Sequence, residues 1–425
     1  MRKIKFNLST FMKWFGFFAP APIISLFSIT AYVWFLMFLF LIVIVYSFKD
    51  KFRYSKQFDK SYLSYTLIVY ISSILCLLRM PDIWKADIVT LTIQFTAVLL
   101  IYIYFDNYKN VAVTIAFIKG IYLSSVVQMI WGYLQLVLGY AGVDLNTIVF
   151  GKILHMYTGI ATHYAQAGEI KVSAFCWNAG NFAPLMILGY LFSKSIYLKI
   201  AFIVISFISG SRTLMFGMSF CILIKLIAFF KKKERIPKKE MTIISCLTLL
   251  GFALFILNSN MVIAKISNSL SSLNVIANYR TEGSTNTHVM YLLRILDVTF
   301  KNDTLTNLLG FGPKCSGYAF VKHYNFYTDI GKWCVECDYI NCLWNYGYLG
   351  FGAYYFWLLK NIIYCKKKSK NCMYVVLFLT LLIMGFMYNI TFNWVSLLFI
   401  FIFILNNHGV DIFELENNIQ HNALK

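Results

Sequence analysis

Charged residues are scarce in this sequence, and acidic residues are scarcer than basic ones. Only 13% of the 425 residues are charged, with 18 acidic against 38 basic side chains, whereas 59% are hydrophobic. A soluble domain of this size cannot hide so much apolar surface, so the composition excludes a water-soluble protein and indicates a membrane protein. A net charge of +20 would suggest nucleic acid in a soluble protein. Here the basic residues cluster between apolar runs, and no nucleic-acid partner is expected.

Several nucleotide-binding and catalytic motifs are also missing. The sequence has no P-loop, no glycine-rich dinucleotide fingerprint, no nucleophile elbow and no Asp-x-Asp pair for a metal-held nucleotide sugar. The pair Cys334-x-x-Cys337 lacks the second pair or nearby histidine that a zinc site needs. We therefore expect no cofactor and no metal ion. In an oxidising compartment, Cys315 could instead form a disulfide with Cys334 or Cys337.

The apolar runs alternate with short basic loops at residues 2–13, 49–60, 194–199, 231–239 and 366–370. Because short loops rich in Lys and Arg stay in the cytoplasm, we place all five loops on that side, which requires an even number of spans between them. The run 11–48 is too long for one helix and contains two prolines, so it predicts a hairpin of two helices. Twelve spans with both termini in the cytoplasm result; the other ten are 61–80, 88–105, 111–140, 174–192, 195–209, 213–230, 241–257, 339–359, 373–388 and 392–405.

The predicted fold is thus an all-α polytopic membrane protein, with residues 1–425 as a single membrane domain. Its one long polar segment, residues 259–338, is predicted to be a large, partly helical periplasmic loop. Within it, residues 284–300 have the apolar spacing of a helix. Residues 406–425 are predicted to be a short, polar, disordered cytoplasmic tail.

Arginines on the predicted outer side are the first candidate functional residues. Arg212, Arg280 and Arg294 depart from the cytoplasmic bias of the other cations, and Lys171 lies on the same side. Planar guanidinium groups bind phosphate oxygens in forked pairs, so a cavity lined by them suits a lipid-linked diphosphate. An arginine at a helix end can equally pair with the phosphates of the surrounding lipid.

Glu336 and Asp338 are among the few carboxylates on the same side. A carboxylate at this place can act as the general base for a sugar hydroxyl. The alternatives are a solvated rim or an ion pair with one of the arginines. His288 and His323 are further candidate bases, and together with Tyr291 they are candidate substrate contacts.

Four short motifs resemble segments of the Wzy-type polymerases of bacterial O-antigen and capsule, which are related to O-antigen ligases. Lys171-Val-Ser-Ala-Phe-Cys-Trp-Asn178-Ala-Gly-Asn181-Phe-Ala is similar to the family's Arg-x-Ser-Gly-Phe-Phe segment, which an Asn or Glu follows at a helix start. Ser209-Gly-Ser-Arg212-Thr213 resembles its Ser-Arg-Thr turn. Arg294, with the later run Gly310-Phe-Gly312-Pro313, resembles its Arg-helix-Gly-x-Gly element. Glu336-Cys-Asp338-Tyr339 through Gly347-Tyr-Leu-Gly350 resembles its entry into the next helix.

This resemblance covers the whole chain in topology and implies a GT-C-like glycosyltransferase of the bacterial inner membrane. The implied reaction transfers a growing glycan from undecaprenyl diphosphate onto the next lipid-linked repeat unit, on the periplasmic side. Its implied partners are the lipid-linked donor and acceptor, membrane lipids, a chain-length regulator and a flippase. In these terms Arg280 and Arg294, helped by Arg212 and Lys171, hold the donor diphosphate, and Asp338 or Glu336 deprotonates the acceptor.

The sequence departs from the family pattern in three places. Lys171 stands where the family often has Arg, the usual Pro after Asn178 is missing, and Glu336 and Asp338 replace the His-Asn of the ligases. The third departure disfavours the ligase alternative. A flippase or other transporter is the non-enzyme alternative, which would predict repeated halves, broken helices and charges near the midplane of the membrane.

Overall fold

The computed structural model describes residues 7–27, 29–49, 59–79, 86–108, 110–156, 165–166, 169–176, 178–231, 303–313, 337–369, 372–386, 388–389 and 394–413. These residues are mostly helical, and three of their helices are long and apolar enough to cross a membrane. Several shorter helices are also strongly apolar. The architecture is that of a helical membrane protein, as the composition predicted. The number of spans stays a prediction, because the run 241–257 lies outside the described residues.

The helices lie close to most of the predicted spans. The run 11–48 is indeed a hairpin of two helices, joined by a two-stranded antiparallel turn. The helices are α1 (Leu8–Phe18), α2 (Ala31–Lys49), α3 (Lys60–Arg79), α4 (Ala86–Tyr108), α5 (Val111–Tyr140), α6 (Ala179–Phe192), α7 (Ile196–Ile208), α8 (Arg212–Lys231), α9 (Thr304–Leu309), α10 (Asp338–Lys368), α11 (Met373–Met384) and α12 (Trp394–Asn407). A π-helix spans Thr147–Ile153, and the strands are β1 (Ser25–Leu26), β2 (Ile29–Thr30), β3 (Ala165–Gln166) and β4 (Glu169–Ile170).

One end of the bundle, called the basic end below, carries Lys49, Lys60, Lys194 and the lysines that close α10. Asp59 fixes α3 to α10 there by accepting hydrogen bonds from Lys360 Nζ at 2.8 Å and Asn361 Nδ2 at 2.7 Å. Burial alone would raise the pKa of the Asp59 carboxyl. The hydrogen bonds from Lys360, Ser61 and Asn361 outweigh burial and hold its pKa below the usual value.

The segment after α12 corrects the predicted tail. Ile412 and Phe413 are buried in the main core. The backbone N–H of Ile412 donates to Tyr374 Oη at 2.9 Å, and the Phe413 ring stacks on Phe192 with centroids 5.3 Å apart. Residues 408–413 are therefore part of the packed basic end, because two large apolar side chains there outweigh the polar character of the tail. Residues 414–425 lie outside the described part of the chain.

The tightest helix crossing in the described bundle joins α1 to α5 through two glycines. A Cβ on Gly16 would overlap the carbonyl oxygen of Phe117, and a Cβ on Gly120 would overlap that of Lys13. Small residues allow helix backbones to approach closely, which is how helices associate in lipid. The aromatic rings of Phe15 and Phe117 pack edge to face beside this crossing, with centroids 5.1 Å apart.

We expect Gly120→Ala to separate α1 from α5 and to lower the free energy of unfolding by about 3 kcal/mol, since the clash is with backbone and cannot be relieved by a side-chain rotation. The measurement is the thermal unfolding midpoint of the purified protein in detergent. Gly132→Ala on the same helix is the control, because its Cβ would meet only side-chain atoms, the nearest being Val172 Cγ1 at 2.9 Å. Equal midpoints for the two variants would contradict this view of the crossing.

Four helices that start or finish at the basic end are too short to cross the bundle. They are α6 with 14 residues, α7 with 13, α11 with 12 and α12 with 14. At 1.5 Å per residue their far ends lie roughly 18–21 Å from the basic end, against a hydrocarbon core of about 30 Å. The 30-residue α5 continues well past them, to about 45 Å. The far ends of the short helices therefore lie inside the bundle, and they surround the site described below.

Helix α10 bends sharply at Gly347, where the backbone leaves the helical region at φ 66° and ψ −171°. In a straight helix Tyr339 and Tyr355 would be about 24 Å apart, yet their rings stack with centroids separated by 5.1 Å. The two parts of α10 thus form a V, and its first part, residues 338–346, runs back into the bundle. This corrects the prediction of a single straight span over residues 339–359.

The bend leaves carbonyl groups without helical partners, and the run Gly310-Phe311-Gly312-Pro313 supplies the missing donors. Phe311 N donates to Trp344 O at 2.8 Å and Gly312 N donates to Asn345 O at 2.9 Å. Ser72 Oγ on α3 donates to Asn345 O as well, at 2.9 Å. In a lipid environment such carbonyl groups need partners, so this Gly-x-Gly run has a structural role that its resemblance alone did not reveal.

Two glycines make that contact possible, because each closes one helix and touches the backbone of the other. Gly310 closes α9 at φ 77° and ψ −174°, which is almost the conformation of Gly347. A Cβ on Gly310 would overlap the backbone of Asn345, and a Cβ on Gly347 would overlap that of Leu308. Only glycine commonly adopts this backbone region.

Candidate functional site

Two of the four resembling motifs contact the turn that follows α11, residues 385–386 and 388–389, called the 385 turn below, and a third motif packs against one of these two. Asp338 contacts Gly385 at the start of the turn, and Asn178 contacts Tyr388 three residues later. The Ser209–Arg212 motif packs against the segment that leads to Asn178. The sequence order of these motifs gave no distances between them, so these contacts are a finding of the structure.

Asp338 is the most deeply buried of the predicted site residues that the structure describes, with 0% of its surface exposed. Its backbone N–H donates to Gly385 O at 2.9 Å. Carboxylate atom Oδ2 lies 3.0 Å from the position that a Cβ on Gly385 would take, so the missing side chain of Gly385 makes room for the carboxylate. Asp338 is also the first residue of α10, where the helix dipole favours negative charge. The solvated-rim alternative for Asp338 is therefore wrong.

Asn178 performs two tasks at the start of α6. Its Oδ1 accepts from the backbone N–H of Asn181 at 2.8 Å, which caps the helix, and its Nδ2 donates to the Tyr388 hydroxyl. The Tyr388 ring lies against Gly180, where a Cβ would be 2.9 Å from the ring carbons. This cap starts α6 at Ala179, five residues after the predicted residue 174, and residues 174–176 before it are non-helical.

Arg212 and Lys171 come from neighbouring segments. Arg212 opens α8, and Ser211 before it accepts from Leu214 N at 3.3 Å and donates to Ala179 O at 3.3 Å. Val172 N donates to Ser209 O at 2.9 Å, and Gly210 packs against the backbone of Ile170. Lys171 is partly buried beside this contact, so the backbone of both predicted cation positions belongs to the same cluster. The side chain of Arg212 lies outside the described part of the structure.

The segment between Lys171 and Asn178 is held from α5 by two buried glutamines. Gln135 Oε1 accepts from Ser173 N at 3.3 Å and Ala174 N at 3.0 Å, and Gln128 Oε1 accepts from Phe175 N at 3.2 Å. Asn146 Nδ2 donates to Ala174 O at 2.8 Å. These contacts fix a non-helical turn in which Ala174 has a positive φ of 48°.

Sequence reasoning missed Gln128, Gln135, Gly385 and Tyr388. The glutamines did leave a signal, since polar residues seven positions apart lie on one face of an otherwise apolar helix. Gly385 and Tyr388 left none, because a glycine and a tyrosine near the end of an apolar run occur for many reasons. The remaining predicted site residues lie outside the described part of the chain: Arg280, His288, Tyr291, Arg294, His323 and Glu336.

The cysteine prediction is settled in part. Cys337 carries a free, buried thiol, so the proposed disulfide between Cys315 and Cys337 is not formed. The pairing of Cys315 with Cys334 falls outside the described residues. Among the residues that are described, no three His, Cys, Asp or Glu side chains come together as metal ligands would.

A comparison of the sequence with protein-family models and with curated proteins finds no match.

Proposed function

We propose that this protein is a membrane glycosyltransferase that joins lipid-linked oligosaccharide repeat units into a polymer. The observation that carries the proposal is that Asp338 and Asn178 both contact the 385 turn, while the turn Ser209–Arg212, called the Arg212 turn below, packs against the segment that leads to Asn178. A buried carboxylate and segments that carry cations are thus connected, and glycosyl transfer from a diphosphate requires both: a base for the acceptor and positive charge for the leaving group.

The proposed reaction needs no nucleotide and no metal ion. The acceptor sugar hydroxyl attacks the anomeric carbon of the donor glycan, a new glycosidic C–O bond forms, and the bond to undecaprenyl diphosphate breaks. Asp338 takes the hydroxyl proton, or Glu336 does so in its place. Arg280 and Arg294, with Arg212 and Lys171, stabilise the charge that develops on the diphosphate; one preorganised group of this kind contributes on the order of 3 kcal/mol.

Burial of Asp338 adds a condition to this mechanism. A carboxylate with no exposed surface meets the acceptor only when the elements around it separate. The 385 turn lies against it, and the first part of α10, which carries it, has a bend point at Gly347.

The bend in α10 also supports a second candidate function, that of a transporter. Interrupted helices with buried N-termini form substrate sites in transporters, and residues 338–346 have this geometry. The bend itself lies roughly 31 Å from the basic end when counted along α10, near one surface and not at mid-membrane. Substrate movement without glycosidic bond formation would distinguish a transporter from a polymerase.

The basic end is proposed to face the cytoplasm, and the twelve apolar segments are proposed to lie in the bacterial inner membrane. Reporter fusions after Lys239 and Lys370 should therefore give a cytoplasmic signal, and a fusion near Asn325 should give a periplasmic one. A cytoplasmic signal at Asn325 would contradict both the topology and the enzyme proposal, because residues 259–338 would then face the wrong compartment.

The genetic test of function is the glycan ladder of a strain that lacks this gene. Loss of a polymerase leaves glycan with a single repeat on its carrier or core. Loss of a ligase leaves long chains on the lipid carrier, and loss of a transporter leaves repeat units on the cytoplasmic face. In the cell, a flippase that delivers the repeat units and a chain-length regulator are the proposed partners.

A further inference from the structure

The five consecutive backbone N–H groups of residues 172–176 each have a defined acceptor. Val172 donates to Ser209 O, Ser173 and Ala174 donate to Gln135, Phe175 donates to Gln128, and Cys176 donates to Ser173 O. All five residues are buried, while Lys171 and Asn178 at the two ends are only partly so. This segment is therefore fixed along its length, and its two ends carry the polar side chains of the candidate site.

Gln128 and Gln135 provide acceptors that no regular helix or strand supplies here. Both side chains are fully buried, and both come from the same face of the long helix α5. Gln128 Nε2 also donates to Pro20 O at 3.2 Å and to Ser124 Oγ at 3.0 Å, which ties the segment to the turn after α1. Buried amides in lipid are costly unless they are used, and these two are used to hold one loop.

We propose that Gln128 and Gln135 are positioning residues: they set where Lys171 and Asn178 stand relative to Asp338 and the Arg212 turn. The inference rests on the proposed function and extends it to α5. Gln135 reaches the site through Ser173 and Ala174, beside Lys171. Gln128 reaches it through Phe175, and Asn178 then links to Asp338 by way of Tyr388 and the 385 turn.

The substitutions that test this act on one glutamine function at a time. Gln135→Met keeps the volume and removes the acceptor from Ser173 and Ala174. Gln135→Glu keeps an acceptor oxygen at the same place; burial keeps its carboxyl group protonated, so the change is a hydroxyl in place of Nε2, which has no hydrogen-bond partner in the described part of the chain. Gln94→Met, on α4, is the matched control, because no described contact joins Gln94 to residues 171–178.

The first measurement does not depend on activity. Lys171→Cys is labelled with a maleimide in the full-length protein, and the labelling of the parent chain is subtracted. We expect Gln135→Met to change the labelling rate roughly tenfold. Without the acceptor at Gln135, residues 172–176 are held less firmly, and the accessibility of the cysteine at position 171 changes. Gln135→Glu should restore the original rate, and Gln94→Met should leave it unchanged. Equal rates in all four backgrounds would overturn the proposal.

The second measurement is a double-mutant cycle on chain elongation, run at a temperature where all variants are folded. A group placed wrongly by about 1 Å can cost roughly 100-fold in rate, so Gln135→Met should lower kcat within that range and leave KM nearly constant. In a Lys171→Ala background the further loss should be small, because Gln135 acts through Lys171. If Gln135→Met lowers kcat by the same factor with and without Lys171→Ala, the two residues act independently, and the proposal is overturned. If the parent protein elongates no lipid-linked unit, the proposed function fails, and the labelling rates alone decide the positioning role.

Discussion

Asp338→Asn is expected to stop chain elongation while the protein remains folded. The amide has the shape of the carboxylate, so the contact with Gly385 is kept, but it cannot accept a proton from the acceptor hydroxyl. Loss of a general base lowers a rate by roughly 10²- to 10⁴-fold. The measurement is elongation of purified lipid-linked repeat units over a pH series.

Asp106→Asn is the matched control for this prediction. Asp106 is also a buried aspartate, but it lies near the end of α4 at the basic end, away from the 385 turn. Its variant should elongate chains at close to the parent rate, and Glu336→Gln should have a milder effect than Asp338→Asn. An unchanged rate for Asp338→Asn would exclude Asp338 as the base and direct attention to Glu336, His288 and His323.

Gly347→Ala is expected to break the contact between the V of α10 and residues 308–313. The backbone conformation at Gly347 costs other residues about 1–3 kcal/mol, and the new methyl group would overlap the Leu308 backbone. The first part of α10 would lose its contact with residues 308–313, and Asp338 would no longer lie against Gly385. We expect a lower unfolding midpoint in detergent, together with loss of elongation.

The control for this change lies on the same helix, five residues further on. Gly352 has open space where a Cβ would be added, and its φ is ordinary for a helix. Gly352→Ala should therefore be neutral, or stabilising by about 0.5–1 kcal/mol, because alanine is the better helix former. If Gly347→Ala has the same unfolding midpoint and elongation rate as Gly352→Ala, the bend is not needed for stability or activity. The proposed dependence of the position of Asp338 on the bend would then be wrong.

Most of the described apolar helices could be predicted from the sequence because lipid imposes a simple rule on it. A span needs a long apolar run, and the loops between spans carry lysine and arginine. Helix α5 has the bounds of the predicted run 111–140, and α3 differs from its prediction by one residue at each end. The agreement is closest where a helix is straight and its ends are polar.

The bend in α10 could not be predicted in the same way. The sequence on both sides of Gly347 is rich in aromatic residues and shows no break in its apolar character. A glycine is tolerated in many membrane helices. What decides the bend is the reciprocal contact with Gly310, which lies 37 positions earlier in a polar segment. Hydropathy patterns hold no information about that pairing, so a straight span was the natural prediction.

The candidate site shows the same division. The types of residue could be read from the sequence, since carboxylates and cations at predicted helix ends are unusual in so apolar a chain. Their arrangement could not, because the 385 turn brings together segments that are separated by as many as 210 positions, as Asn178 and Tyr388 are. Gln128 and Gln135 are neutral amides in a long apolar helix, and they mark a site less clearly than carboxylates and cations do.

The most direct test of the proposed function uses the purified full-length protein in lipid vesicles, given only undecaprenyl-diphosphate-linked repeat units and no nucleotide or metal ion. We expect a ladder of products from two repeats upward, with one undecaprenyl diphosphate released for each bond formed. With Asp338→Asn we expect no ladder. Repeat units that stay single, whether they remain in place or cross the vesicle membrane, would contradict it.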